Sequence, residues 1–262
     1  MLSSPSALAD RTLATSQSGR TDWLGSVTYA HRGLHAEGAQ DKRAVENSPT
    51  AFAAAIANGL GIECDVQETA DGQAVVFHDF TLDRLTDRKG PVRDLTLAEA
   101  CAIPLKGGRG DCIPSLGAVL AQIGGQVPLL IEVKTHRQWP VGPLCAAVRD
   151  ALGSCRGNVA VMSFDARVVR WFATHAPAVV RGLVVSEQDA RGLTGSIARH
   201  WALFTAKPEF LACDARDLPS RFTDAQRRSS RPVLTWTVRD PLTRERVARH
   251  VDALIAEGAG LP

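Results

Sequence analysis

Residues 61–79 read GIECDVQETADGQAVVFHD. Two apolar, strand-like runs, 61–66 and 74–77, lie too close together for a parallel crossover, which needs a dozen or more residues, so they predict an antiparallel hairpin. Asp71-Gly72 is a two-residue turn signal. With that pair as the turn, His78 faces Asp65 across the hairpin.

Seven more runs of the same character lie at 27–30, 129–133, 159–163, 179–185, 210–213, 233–238 and 253–256. Helical patterns fill most of the gaps, the rhythm of βα units and a parallel sheet. The clearest helix opens at Asn47-Ser48 with Pro49 in its first turn and stops at Asn58-Gly59. Setting aside the second arm of the hairpin leaves eight runs, the number that closes a TIM (β/α)8 barrel. Residues 84–113 lack a strong strand and read as an inserted loop with a short helix near 96–102, above the barrel mouth.

Composition bounds the rest. The chain has 262 residues, 45% hydrophobic and 22% charged, enough apolar surface for one large core and too much for a disordered chain. Its net charge of +2 and the lack of a basic block with interleaved aromatics exclude a nucleic-acid footprint, so any affinity for phosphate is local. Cys64, Cys101, Cys112, Cys145, Cys155 and Cys213 show no CxxC spacing and read as free thiols in a reducing compartment. The first 25 residues lack an apolar signal core, and no run of 18 apolar residues follows, which predicts no membrane span and a cytoplasmic protein. The expected division is an N-terminal extension, 1–25, and a barrel domain, 26–262.

The chemistry-bearing residues sit where apolar runs end. Tyr29-Ala30-His31-Arg32-Gly33 puts an imidazole and a guanidinium at the carboxyl end of the first run, the barrel face where catalytic groups collect. Glu63 and Asp65, two apart, share one face of their strand and either meet water or flank a cation. Leu129-Leu130-Ile131-Glu132-Val133-Lys134 favours the cation: three carboxylates from two strands suit a hard divalent ion, Mg²⁺ or Ca²⁺. Lys134 falls on the same face as Glu132. Two imidazoles, three carboxylates and the cations Arg32 and Lys134, without a GxSxG or Cys/His signature, point to phosphoryl rather than acyl transfer. One histidine takes the proton of the attacking oxygen and the other protonates the leaving alkoxide.

His31-Arg32-Gly33, Glu46-Asn47-Ser48, Ile62-Glu63-Cys64-Asp65-Val66-Gln67, Asp71-Gly72, Val75-Val76-Phe77-His78-Asp79, Leu82-Asp83-Arg84, Ile113-Pro114-Ser115-Leu116, Ile131-Glu132-Val133-Lys134, Ser163-Phe164 and Trp236-Thr237-Val238 occur in that order. Together they resemble the glycerophosphodiester phosphodiesterases. The resemblance implies a TIM barrel that hydrolyses small glycerophosphodiesters to glycerol 3-phosphate and an alcohol. It implies His31 and His78 as catalytic residues, Glu63, Asp65 and Glu132 as metal ligands, and Arg32 as phosphate contact. Glu46 and Lys134 fall on further substrate-site positions, and Trp236 either packs on the glycerol moiety or fills the barrel core.

Two positions depart from the resemblance: Arg239 stands where an Asn is common, and Ile255-Ala256-Glu257 where Ile-Thr-Asp is common. Both are expected to lie clear of the metal and acid/base groups. His136, His175, His200 and His250 read as surface or cap residues, His35 stays open, and Trp139, Trp171 and Trp201 read as packing residues. The competing readings are a phosphatidylinositol phospholipase C-like or sphingomyelinase D-like barrel, and a catalytically silent binding barrel. The oligomeric state is left open.

Overall fold

A computed structural model describes residues 19–35, 44–153, 155–188 and 192–262. Nine strands form one sheet: β1 (Tyr29–Ala30), β2 (Gly61–Glu68), β3 (Ala74–Val76), β4 (Leu129–Val133), β5 (Val159–Ser163), β6 (Val180–Val185), β7 (Phe210–Asp214), β8 (Val233–Val238) and β9 (Ala253–Ala256). Eight run parallel in the order β1-β9-β8-β7-β6-β5-β4-β2, and pairing of β1 with β2 closes them into the expected TIM barrel, with β3 antiparallel on β2. Helices α1 (Pro49–Ala57), α2 (Leu97–Cys101), α3 (Leu116–Ile123), α4 (Gly142–Leu152), α5 (Ala166–His175), α6 (Leu193–Ala206), α7 (Arg221–Arg228) and α8 (Pro241–Val247) make up the outer layer and the insert. Among the described residues no helix is long and apolar enough to cross a membrane.

The local rules hold at α1. The Ser48 hydroxyl accepts the Ala51 N–H at 3.1 Å, Pro49 takes the first turn, and the chain leaves through Asn58 and a left-handed Gly59. Strand alternation then sorts the two faces of β2. Ile62, Cys64 and Val66 pack outward with Phe52, Leu129 and Ile131 in one apolar layer. Glu63, Asp65 and Gln67 take the other parity and are still 2%, 1% and 4% exposed, so they point into the barrel and not to water. The interior below them is filled by Leu24, Tyr29, Leu130, Met162 and Phe210. Gly182 has no room for a side chain because a Cβ there would lie 2.3 Å from the Phe210 ring.

Of the expected extension, residues 1–18 lie outside the described residues. Just after them, Leu24 is fully buried and its carbonyl accepts the Tyr29 hydroxyl at 3.1 Å, so 22–25 pack onto the barrel's amino-terminal end.

The hairpin exists, but its register differs by one residue from the expected one. Val66 pairs with Val76, Gln67 with Val75 and Glu68 with Ala74, and the Phe77 N–H bonds the Asp65 carbonyl at 3.0 Å. Phe77, not His78, therefore opposes Asp65. The cause is a three-residue loop, Ala70-Asp71-Gly72: the Gly72 N–H reaches the Thr69 carbonyl at 2.9 Å, Gly72 sits at φ +69, and Thr69 pairs with Gln73. Residues 84–113 pack on the hairpin through a small core of Val75, Phe77, Leu82, Val92, Ile103 and Ile113. Their short helix α2 carries the capping box of Thr96 and Glu99.

Trp201 is not a packing residue: it is 67% exposed and aligns with Leu193 (77%), Ile197 (60%) and Phe204 (73%) along the outer face of α6. Only Gly195 and Ala206 of that helix are buried. Trp171 does pack, stacking on His175, and Trp139 packs edge-on against Phe80 under Arg93.

Candidate active site

Register builds the acidic cluster. Asp65 on β2 is the direct partner of Glu132 on β4, and Glu63 lies one pleat back on the same face. One oxygen from each of the three carboxylates lies within 4.8 Å of the others. Burial drives the Glu63 pKa well above the ordinary range, and Asp65 and Glu132 push the same way. Burial and the Asp65 charge lift Glu132 to about 7. Asp65 shifts the other way: burial opposes its ionisation, but Lys134, Arg32 and His78 outweigh it and hold its pKa below the usual carboxylate value. Lys134 Nζ stands 3.4 Å from Glu132 and 3.6 Å from Asp65.

Arg32 follows the end of β1 in the left-handed region, φ +57. That turn aims its N–H at Glu63 Oε2, 3.0 Å away, while its guanidinium reaches Glu46 at 2.8 Å and Asp65 at 3.3 Å. Glu46 has no free oxygen. Arg84 takes both, at 2.7 and 2.8 Å, and these contacts with Arg32 and Arg84 hold the Glu46 pKa at about 2 although burial opposes it. Trp236 on β8 donates from Nε1 to the Ala212 carbonyl and meets Phe164 edge-on with ring centres 5.2 Å apart. Phe164, Phe80, Thr135, Glu132 and Lys134 line a cavity of about 630 Å³ beside the carboxylates.

The two histidines stand on matching supports. His31, 9% exposed, offers Nδ1 to Glu257 Oε2 at 2.5 Å. His78 offers Nδ1 to Asp79 at 2.7 Å, and Arg84 holds Asp79 at 2.6 and 2.8 Å. A carboxylate facing Nδ1 fixes the proton there and leaves Nε2 as the exchanging nitrogen. The loop after β3 brings His78 close enough to Asp65 for the two charges to interact, although it no longer lies opposite. Burial lowers the His78 pKa, and Lys134 and Arg32 add to this against the pull of Asp65 and Asp79.

All the residues expected at the site thus lie at one rim. The sequence did not assign five others. Asn47 donates to Asp65 Oδ2 at 3.0 Å and accepts the Asp65 N–H at 3.2 Å. Asp79 and Arg84 support His78. Glu257 overturns the expectation that the two departures lie clear of the acid/base groups: it touches His31, and Arg239 Nε binds its other oxygen at 2.6 Å. The signal for Asn47, Asp79 and Arg84 was their place inside the quoted motifs.

The family model for the glycerophosphoryl diester phosphodiesterase family matches residues 31–259. The chain is 29% identical to YhdW of Bacillus subtilis (strain 168) over 242 residues, covering 87% of this chain and 93% of that protein. It is 40% identical to the glycerophosphodiester phosphodiesterase of Caldanaerobacter subterraneus subsp. tengcongensis over 119 residues, 43% of this chain and 46% of that one. In fold it is similar to an Oleispira antarctica phosphodiesterase solved with its product sn-glycerol-3-phosphate, with a TM-score of 0.76 at 21% identity over 89% of this chain and 93% of that one. It is also similar to the Thermotoga maritima glycerophosphodiester phosphodiesterase, with a TM-score of 0.70 at 22% identity over 89% and 95%. A barrel with this rim and a family match across most of its length make the chain a phosphoric diester hydrolase, a member of the glycerophosphoryl diester phosphodiesterase family.

Proposed function

We propose that the chain hydrolyses small glycerophosphodiesters to glycerol 3-phosphate and an alcohol, using His31 and His78 as proton-transfer groups beside a divalent cation held by Glu63, Asp65 and Glu132. The observation that carries the reading is the buried carboxylate cluster. Three hard oxygen donors, two of them with pKa values raised by burial and further by their carboxylate neighbours, fit Mg²⁺ or Ca²⁺, and no soft ligand stands among them. When bound, such an ion supplies charge stabilisation to the phosphoryl oxygens. The product seen with the Oleispira antarctica phosphodiesterase supports the choice of glycerol 3-phosphate.

The chain's own groups do the rest. Arg32, oriented by Glu46 and Asp65, binds a phosphate oxygen, and Lys134 balances charge at the carboxylates. Trp236 with Phe164 forms the apolar wall for the glycerol moiety. Because Nδ1 of each histidine is occupied, Nε2 of one takes the proton of the attacking oxygen and Nε2 of the other protonates the departing alkoxide. Six free thiols suit a reducing, cytoplasmic setting, which is part of the same proposal.

A panel of glycerophosphodiesters and one intact phosphoinositide, assayed with and without EDTA, tests the substrate and the ion. His31→Ala and His78→Ala are each expected to lose about 10²- to 10⁴-fold in turnover, and an activated aryl leaving group rescues only the variant that lost the acid. Full activity after chelation, or near-normal turnover in both variants, rejects the reading.

A further inference from the structure

Strands β8, β9 and β1 are adjacent and parallel, and they end level: Val238 pairs with Ala256, and Ala256 with Ala30. The first residue beyond each end is Arg239, Glu257 and His31. The Glu257 N–H donates to the Val238 carbonyl at 3.0 Å and the His31 N–H to the Ala256 carbonyl at 2.9 Å, so sheet hydrogen bonds hold the row at its backbone. The side chains continue it: Arg239 Nε to Glu257 Oε1 at 2.6 Å, Glu257 Oε2 to His31 Nδ1 at 2.5 Å.

A competitor stands beside the row. His35 is largely buried, its Nε2 has no hydrogen-bond partner among the described residues, and it lies 3.8 Å from the same Glu257 Oε2 that serves His31. A carboxylate between two imidazoles can turn toward either, and a guanidinium on its far oxygen fixes the turn. Burial alone would lift the Glu257 pKa, but the His31 hydrogen bond and the Arg239 charge hold it at about 2, so the carboxylate is ionised at neutral pH.

We propose that Arg239 and Glu257 form one positioning unit that directs Glu257 to His31 rather than His35 and so fixes the Nδ1–H tautomer of His31. The proposal rests on the reading of His31 as a proton-transfer group. Arg239 is a positioning residue that acts through Glu257. Its side chain is 63% exposed at the rim, so its replacement leaves the barrel core untouched. Among the described residues, His35 lies against Glu257 and is itself reached by the charges of Glu46 and Arg32.

The variants are Arg239→Met, Arg239→Lys, Glu257→Gln and His31→Ala, with and without Glu257→Gln. Ring ¹⁵N shifts of His31, assigned by their loss in His31→Ala, report its tautomer whether or not His31 is catalytic. The wild type is expected to show Nδ1–H, with mixed tautomers in Arg239→Met and Glu257→Gln and the wild-type state regained in Arg239→Lys. Kinetically, Arg239→Met and Glu257→Gln are expected to lower kcat by about ten-fold or more with little change in KM, by analogy with the loss seen when the outer partner of a metal-ligating histidine is removed. Glu257→Gln adds no further loss in the His31→Ala background. An unchanged His31 tautomer in both Arg239→Met and Glu257→Gln overturns the inference, as does a Glu257→Gln loss that persists in full without His31. Near-normal turnover of His31→Ala rejects the reading of His31 instead, and the ring shifts still decide the positioning role.

Discussion

Arg84 grips Glu46 by both carboxylate oxygens, 2.7 and 2.8 Å, while its other edge holds Asp79 at 2.6 and 2.8 Å. One planar fork therefore supports two sides of the site: Glu46 orients Arg32, and Asp79 orients His78. Hydrogen bonds to charged groups contribute about 1.5–3 kcal/mol each, so Arg84→Met is expected to lose roughly ten- to a hundred-fold in kcat/KM. Arg84→Lys keeps the charge but not the fork and recovers only part of it. Steady-state kinetics on a glycerophosphodiester checks both, and wild-type values for the methionine variant contradict this role.

Glu46 gives a pH signature. Its folded-state pKa of about 2 lies below the ordinary 4.5, so between those values the folded form binds fewer protons than the unfolded one. The stability contributed is present above pH 4.5 and is lost as pH falls through about 2. The urea midpoint of Glu46→Gln is expected below that of the wild type at pH 7, with the gap closing between pH 4.5 and 2. A gap that is constant with pH rejects the ion-pair explanation.

Glu63 carries the opposite sign. Its pKa is raised above 4.5 in the metal-free fold, so the folded form holds the proton longer and stability falls as pH rises beyond 4.5. Chelated Glu63→Gln is therefore expected to match or exceed the chelated wild type in urea midpoint at pH 8. Added Mg²⁺ at a hundred times its Kd should stabilise the wild type by about 2.7 kcal/mol and leave the variant unmoved. Equal stabilisation of the two removes Glu63 from the ligand set.

Gly182→Ala tests the barrel floor. The new methyl meets the Phe210 ring at 2.3 Å inside a closed barrel, and overpacking of this kind costs about 1–3 kcal/mol. Chemical denaturation measures it, and a neutral result means that Phe210 has room to move.

The barrel was readable because strands buried on both faces are near-continuous apolar runs, and a carboxylate inside such a run stands out, as Glu63, Asp65 and Glu132 do. The hairpin register was not. Asp71-Gly72 marks a turn, but a left-handed Gly72 serves a three-residue loop as well as a two-residue one, and local sequence does not separate them. The supports of the histidines were hidden for another reason: Glu257 and Arg239 act on His31 through space, so neither spacing nor periodicity near His31 points to them. Trp201 was misread because an α6 stripe at helical spacing looks the same whether it faces a core or solvent.

His31 and Glu257 are 226 positions apart, and β1, which delivers His31, is two residues long and held between β2 and β9. During synthesis from the amino end at about 5–20 residues per second, roughly eleven to forty-five seconds pass between the appearance of the two. For that interval the slot beside β1 is unfilled and His31 has no carboxylate. The acidic cluster on β2 and β4 is translated much earlier. On the proposed roles, proton transfer at His31 should therefore be the last part of the site to form on the ribosome, waiting for the ninth strand.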